Sequence, residues 1–359
     1  MREQSTDRAA QLSTTIINGS AVKIDQKVSV LSDRAIYSHY PRHVDVIETH
    51  MAWVFLADEF AFKMKKPVHY EFLDFTTLSA REFTCREELR LNRRLAPDVY
   101  LDVVPLRLDT TGALTFAGDG PIVEWLVKMK RLPADRMLDC AIEHRTVTVA
   151  DVVGFAEKLT TFYLAAPPVS QSIEQVCQRF AAEHERNVVL LSDTQFELDH
   201  VMTKTVLECM TKALSAARPL LKMRVEVGAF LEGHGDLRPE HVCLISPPVV
   251  IDCLEFNRDM RLVDPFDEIA FLDLECGRLG APWIGQRVFD ICRRDLSPAP
   301  PAGLLAFYRS ARSLLRARLA LAHLTEANPR MPEKWEPRAR IYIALAEETL
   351  TRFESTAGR

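Results

Sequence analysis

The sequence predicts an α+β chain, with a small antiparallel sheet and one helix on its N-terminal side and a larger, mainly helical region after it. Three observations predict it. Short apolar or alternating runs between Val44 and Lys65 carry the period of two expected of strands. From Arg131 onward the apolar residues recur at helical spacing. Within that helical region, Gly233 to Asn257 reads GHGDLRPEHVCLISPPVVIDCLEFN, two short apolar runs joined by a Ser-Pro-Pro turn. This hairpin carries two acids, Asp236 and Asp252, expected at one end of it, where they would hold a metal ion and a nucleophile together.

The chain has 359 residues, 47% hydrophobic and 26% charged, enough for one two-part unit or two ordinary domains. A net charge of -5 gives no basic footprint for nucleic acid, although arginines gather near Arg93 and Arg312. The expected partners are therefore small molecules or proteins. The N-terminal stretch MREQSTDRAAQLSTT has no apolar core, and no later run reaches the roughly 18 to 20 apolar residues that cross a bilayer. No membrane association and a cytoplasmic location are expected. Eight cysteines without a CxxC pair fit reduced thiols. A zinc site among His241, Cys243 and Cys253 is disfavoured, because Cys243 within an apolar strand reads as core packing.

Residues 1 to 20 read as a mobile tail, with order beginning between Ala21 and Leu31. Val44–Ile47, Trp53–Leu56 and Phe60–Lys65 read as an antiparallel meander, with Ala57-Asp58-Glu59 as one turn and the glycine-free Glu48–Ala52 as the other. Lys63 and Lys65 share a strand face by the period of two. Leu78 to Leu95 reads as a surface helix containing Glu87 and Glu88, ended by Pro97. Tyr100 to Leu108 and Ala113 to Phe116 form a second hairpin around Thr110-Thr-Gly112, and Pro121 to Met129 a further strand. Thr148 and Asp151 make a capping box for a helix through Tyr163. Helices follow over Ile173 to Val188, Phe196 to Ala216 and Pro219 to Phe230, with His184 a core or flanking residue. Leu304 to Leu324 and Trp335 to Phe353 read as long helices that close the chain. Arg309, Arg312, Arg316 and Arg318 on the first of them read as a solvated face or a site for an acidic substrate.

The string His234-Gly-Asp-Leu-Arg-Pro-Glu-His241 resembles the catalytic loop of the protein kinase-like superfamily, HxDLKPEN in protein kinases and HGDxxxxN in aminoglycoside phosphotransferase-like enzymes. Ile251-Asp252 resembles the metal-binding strand end that follows it. The glycine after His234 favours the aminoglycoside phosphotransferase-like branch. More narrowly, the chain is similar, from about Val44 to Ser310, to an uncharacterised bacterial subgroup whose members sometimes carry a fused P-loop ATPase domain.

This resemblance implies a protein kinase-like two-lobed fold, with an N-lobe over 21–127 and a C-lobe over 128–359 that holds the catalytic loop within 233–257. It implies an ATP-dependent phosphotransferase that moves the γ-phosphate to a hydroxyl of a small-molecule acceptor. Asp236 would be the base and Arg238 a fixed cation for the γ-phosphate. Lys63, or Lys65 in reserve, would bind the α and β phosphates. Its partner would be Glu88, although Glu87 lies on the helical line with Leu91 and Leu95. Backbone groups of Glu124, Trp125, Leu126 and Val127 would form the adenine-binding hinge. Asp252 would hold Mg²⁺, with Glu255 a weaker candidate, and Asp267 in Asp264-Pro-Phe-Asp267-Glu-Ile-Ala270 would brace the catalytic loop.

The departure is His241, which stands where the pattern has an asparagine that ligates a second metal. Imidazole suits Mn²⁺ better than Mg²⁺. That substitution and the glycine-free loop leave two alternatives open: a catalytically weak nucleotide-binding protein with a scaffolding role, and a nucleotidyl transferase. The sequence sets neither the acceptor nor the oligomeric state.

Overall fold

A computed structural model describes residues 22–70, 73–326 and 329–357, so the tail expected over 1–20 lies outside the described residues. The chain divides into two compact units. The first runs to Ala134 and takes in Val250–Asn257; the second comprises Asp135–Val249 and Arg258 onward.

In the first unit a short helix, Ile24–Leu31 (α1), precedes the meander Val44–Glu48 (β1), Ala52–Ala57 (β2) and Phe60–Lys65 (β3). A small hairpin, His69–Tyr70 (β4) and Leu73–Asp74 (β5), leads to helix Leu78–Asn92 (α2). Tyr100–Leu108 (β6), Leu114–Thr115 (β7) and Ile122–Lys130 (β8) complete a six-stranded antiparallel sheet in the order β1-β2-β3-β8-β6-β7. Asp58, at φ 50°, makes the tight turn between β2 and β3. The pleat sorts β3 by parity: Phe62 and Met64 enter a core with Leu31, Tyr37, Phe55 and Leu126, which leaves Lys63 and Lys65 on the opposite face. Helix α2 starts at Thr77, whose hydroxyl accepts the Ala80 N–H, and packs on β8 and β6.

Two departures from the expected boundaries have a direct physical reason. The first unit does not stop at 127, the expected end of the N-lobe, because Lys128, Met129 and Lys130 pair with Phe62, Ala61 and Phe60. The segment Val250–Asn257 joins the first unit through ion pairs from Asp252 and Glu255 to the β3 lysines.

The second unit is mainly helical. It contains Leu138–Glu143 (α3), Val149–Ala165 (α4), Ile173–Leu191 (α5) and His200–Glu226 (α6), then the short strands Leu231–Glu232 (β9), Val242–Cys243 (β10), Val249–Val250 (β11, whose last residue opens the return to the first unit) and Leu262–Val263 (β12). Helices Pro265–Arg278 (α7), Pro282–Asp295 (α8), Ala302–Ala322 (α9) and Trp335–Ala357 (α10) follow. Strand β9 pairs with β12, and β10 with β11 across the Ser-Pro-Pro turn. The core lies among α5, α6, α9 and α10, around Phe180, Met210, Leu221, Phe307, Tyr308 and Leu314.

The Thr148–Asp151 capping box opens α4 as the sequence predicts. His184 is buried in α5 and bonded to Thr211 at 2.9 Å. One expectation fails: the two helices expected on either side of Pro219 are one helix, α6. Pro219 and Ser215, whose carbonyl loses its helical partner, are both on the solvent-facing side, where water serves that carbonyl.

Candidate active site

In the first unit the site is a buried ion-pair network. Lys63 Nζ lies 2.9 Å from Glu88 Oε1 and 2.6 Å from Asp252 Oδ1. Lys65 Nζ lies 2.5 Å from Glu88 Oε2 and also pairs with Glu255. Both lysines therefore converge on Glu88, which is fully buried, whereas Glu87 pairs with Arg90 on the exposed side of α2. Helical geometry separates the two glutamates by about 100°, and only one can face the sheet.

The charges sustain one another. Burial alone would discharge Lys63, but Asp252, Glu88 and Glu255 outweigh it and hold the ammonium well above its ordinary value. Burial opposes ionisation of Glu88 too, and the two lysines overcome it. For Glu255 burial wins and its carboxyl is raised. Asp252 sits at φ 60°, a left-handed conformation that Asp tolerates at a cost of about 1–3 kcal/mol, and its N–H donates to the Tyr100 hydroxyl. The Cys253 N–H donates to the Asn92 side chain and so fixes the segment on the end of α2.

Two lysines facing three carboxylates leave one negative charge in excess. Hard oxygen donors with net negative charge suit a divalent ion such as Mg²⁺, and Asp252, 43% exposed at its side chain, is the member best able to reach one.

The expected hinge is corrected. Leu126 pairs with both Met64 and Val104, and Val127 with both Lys63 and Val103, so their backbone groups belong to the sheet. Glu124 is fully buried and clamped by Lys27 at 2.8 Å and by a two-bond contact from Arg81. It ties α1 and α2 to β8. Trp125 packs under the Arg86 guanidinium. The chain leaves the sheet further on, over 131–134.

In the second unit the residues of the loop His234–His241 form their own cluster. Gly235, at φ 89°, turns the chain in a way that favours glycine. Gly233 is required by close approach, since an added Cβ would lie 2.6 Å from Val263 and 2.8 Å from the Glu268 carboxylate. Arg238 donates to Asp236 Oδ2 at 3.1 Å and to Glu240 Oε1 at 3.1 Å. Burial would push the Asp236 carboxyl up, but the Arg238 guanidinium leads the charges that hold it well below the usual carboxylate range.

His241 is fixed by its neighbours. Its Nδ1 faces the Asp236 carbonyl at 2.7 Å, which only accepts, and its Nε2 faces the Arg238 guanidinium at 3.1 Å, which only donates. Both ring nitrogens are therefore engaged, Nδ1 against an acceptor and Nε2 against a donor. This arrangement does not fit a metal ligand, and it corrects the expectation that His241 holds one.

The brace of the loop is also corrected. Glu268, not Asp267, accepts the Gly235 N–H, and it takes a second bond from the Tyr163 hydroxyl at 2.7 Å. Asp267 makes a two-bond contact with Arg312 at 2.9 and 2.8 Å. Counting the Asp-Pro-x-x-acid spacing from Asp264 reaches Glu268, so the signal was present one residue further on. The other arginines of α9 are likewise occupied: Arg309 by Asp273, Arg316 by Glu275 and Arg318 by Glu183. That face is internal wiring to α7 and α5, not a solvated face. All eight cysteines are free, and Cys243 is buried in β10.

No protein-family model matches the chain. The uncharacterized protein Rv2004c of Mycobacterium tuberculosis is 28% identical over 297 residues, covering 80% of this chain and 56% of that protein. The uncharacterized protein Mb2027c of Mycobacterium bovis matches to the same extent. The chain thus spans about half the length of the curated relatives it matches. Among solved structures, a choline/ethanolamine kinase family protein from Mesorhizobium loti is similar with a TM-score of 0.55 at 14% identity, covering 93% of this chain and 98% of that one. A choline kinase from Cryptosporidium parvum gives 0.54 at 10% identity, covering 93% and 97%. Spectinomycin phosphotransferase APH(9)-Ia, solved with ADP and spectinomycin, gives 0.53 at 11% identity, covering 92% and 99%. At these identities the likeness gives the fold: α+β and protein kinase-like, a fold shared with phosphotransferases. No helix among the described residues is long and apolar enough to cross a membrane.

Proposed function

We propose that the chain is an ATP-dependent phosphotransferase of the aminoglycoside phosphotransferase-like type, acting on a hydroxyl of a small molecule. The observation that carries this reading is Lys63, held on β3 between Glu88 and Asp252. A lysine clamped in that way is a fixed cation for the α and β phosphates of a nucleotide. Asp252, backed by Glu255, would hold Mg²⁺, which when bound screens the charge of the phosphates.

In the reaction, the acceptor oxygen bonds to the γ-phosphorus as the bond from that phosphorus to the bridging oxygen breaks and ADP leaves. The hydroxyl proton passes to the Asp236 carboxylate and from there to water. The depressed carboxyl of Asp236 favours a role in orienting the hydroxyl and taking its proton late, over early proton abstraction. Arg238, shared by two carboxylates, acts as the positioning residue for Asp236.

A second reading is favoured by His241. Because its nitrogens are committed to the loop, a second metal has no ligand there, which suits either single-metal turnover or a nucleotide-binding scaffold. About 44% of the relative lies outside the match (100% less 56%), which leaves room for the P-loop ATPase domain proposed to accompany this module in some members. ATP labelled at the γ or the α phosphate, incubated with a panel of alcohols, separates the readings. Label from the γ position in product supports the kinase, label from the α position supports nucleotidyl transfer, and nucleotide binding with neither supports the scaffold.

A further inference from the structure

Beside the catalytic loop, and within the second unit, lies a group of arginines that the reaction above does not use. Glu275 of α7 is buried and receives the Tyr342 hydroxyl at 2.6 Å, Arg278 Nε at 2.7 Å and Arg316 Nε at 3.1 Å. Both guanidiniums lie over the Tyr342 ring, at 5.8 and 5.6 Å from its centre. Arg338 stands one helical turn before Tyr342 on α10, half-buried, with no ion pair or hydrogen bond among the described residues. Burial leads in lowering its proton affinity and the repulsion of Arg278 and Arg316 adds to it, against the attraction of Tyr342 and Glu275. The cluster also acts on the loop: Arg316 stabilises the charges of Asp236 and Glu240, and Glu275 that of Arg238.

The charges of this region do not balance. Three guanidiniums, on Arg278, Arg316 and Arg338, gather around the one carboxylate of Glu275. Asp236 and Glu240 are taken by Arg238, and Glu275 is shared by Arg278 and Arg316. The odd cation is Arg338. A half-buried arginine that makes no ion pair and shares the pull of one carboxylate with two more arginines costs stability unless an anion is recruited to it.

The geometry points to an acceptor that carries an oxyanion, a phosphate or carboxylate group, bound by Arg338 with Arg278 and Arg316 while its hydroxyl is presented to Asp236. This rests on the phosphotransferase reading for the hydroxyl transfer, but not for the anion site itself. A cationic acceptor is excluded by the same charges. The arginines take no part in the transfer of the phosphoryl group; they select the substrate.

The test is thermal-shift titration of the full chain, with matched probes: D-ribose 5-phosphate against D-ribose, D-gluconate against D-glucose, and choline as the cation. The expected result is stabilisation by one or both anionic probes and by neither neutral sugar nor choline; the two anionic arms distinguish phosphate from carboxylate. Arg338→Ala should weaken the anionic probe at least tenfold, Arg338→Lys should restore part of it, and Arg340→Ala, one residue pair removed on α10, should change nothing. Since Arg338→Ala removes an unpaired cation, its melting temperature without ligand should hold or rise, whereas a structural role would lower it. Stabilisation by choline alone, or an anion response unchanged in Arg338→Ala, overturns the proposal. Loss of the ATP response together with the anion response in Arg338→Ala also overturns it, because the arginines would then read the nucleotide. Anion binding that needs Arg338 in a protein that does not bind ATP would leave the anion site standing and remove the phosphotransferase reading.

Discussion

The two charged clusters are built from the same materials and biased in opposite directions. In the first unit, two lysines face three carboxylates around Glu88, and the excess is negative. In the second, three arginines, Arg278, Arg316 and Arg338, gather around the one carboxylate of Glu275, and the excess there is positive. Lysine as a point charge serves the first, where carboxylates converge on single nitrogen atoms. Arginine's planar fork serves the second, where one group must hold two partners at once, as Arg238 does with Asp236 and Glu240. The difference teaches what each cluster lacks: a cation in one, an anion in the other.

The largest expected effect lies at Asp236, the carboxylate proposed as the base. Asp236→Asn should lower phosphoryl transfer by about 10²–10⁴-fold in single-turnover assays while leaving the ATP-induced thermal shift in place. An equal loss of the thermal shift would make Asp236 a folding residue and erase the contrast between the clusters. Next in size is the stability difference. Lys65→Ala strips a buried counter-ion from Glu88 and Glu255, and should cost about 3–5 kcal/mol by denaturant unfolding. Arg238→Ala acts on partners that are each about a third exposed and should cost less, about 1.5–3 kcal/mol. The reverse order would show that the loop, not the lysine network, is the desolvated centre.

A smaller effect separates the clusters by pH. The Asp236 carboxyl is depressed, so its contribution to stability is present above the unfolded value near pH 4 and is lost only as pH falls through its lower folded value. The Glu255 carboxyl is raised, so the folded state binds its proton more tightly. Its stability term therefore falls as pH rises from the unfolded value through the folded one. Glu255→Gln, which mimics the protonated group, should gain on wild type as pH rises above about 5, whereas Asp236→Asn should lose on it as pH rises toward about 4 and then hold level. Melting temperatures over about pH 2–8 read both slopes, and slopes of one sign would contradict the assignment.

The smallest effect is at His241. Because the ring is used at both nitrogens, Mn²⁺ titration by electron paramagnetic resonance with ATP present should give one equivalent for wild type. His241→Asn, which supplies an amide oxygen, should allow a second, weaker one. Two equivalents in the wild type would return His241 to the metal.

What could be read from the sequence was what is local in it. The loop His234–His241, the lysines two apart on β3, the capping box at Thr148 and the meander all follow from spacing within a few residues. Glu88 could be separated from Glu87 only once the face of α2 was known. The role of Glu124 was not legible, because its partners Lys27 and Arg81 lie 97 and 43 residues away. Nor were the partners of the α9 arginines, which come from 36 to 135 residues earlier in the chain. An arginine-rich helix reads the same whether carboxylates or water wait opposite it. Pro219 misled because the carbonyl that it frees, on Ser215, lies on the solvent-facing side, where the lost helical bond costs least. Arg338 had no signal in the sequence at all, since what marks it is the partner it lacks.

The most direct test of the account is the thermal shift given by ATP with Mg²⁺, on wild type, Asp252→Ala and Lys63→Ala. Binding to the folded state alone stabilises by about 2.7 kcal/mol at about 100 times the dissociation constant, a shift of a few degrees. The account predicts a clear shift in wild type that needs Mg²⁺, loses that dependence in Asp252→Ala and disappears in Lys63→Ala. No shift in wild type, or the same Mg²⁺-dependent shift in all three proteins, would contradict the claim that the lysine network of the first unit is a nucleotide and metal site.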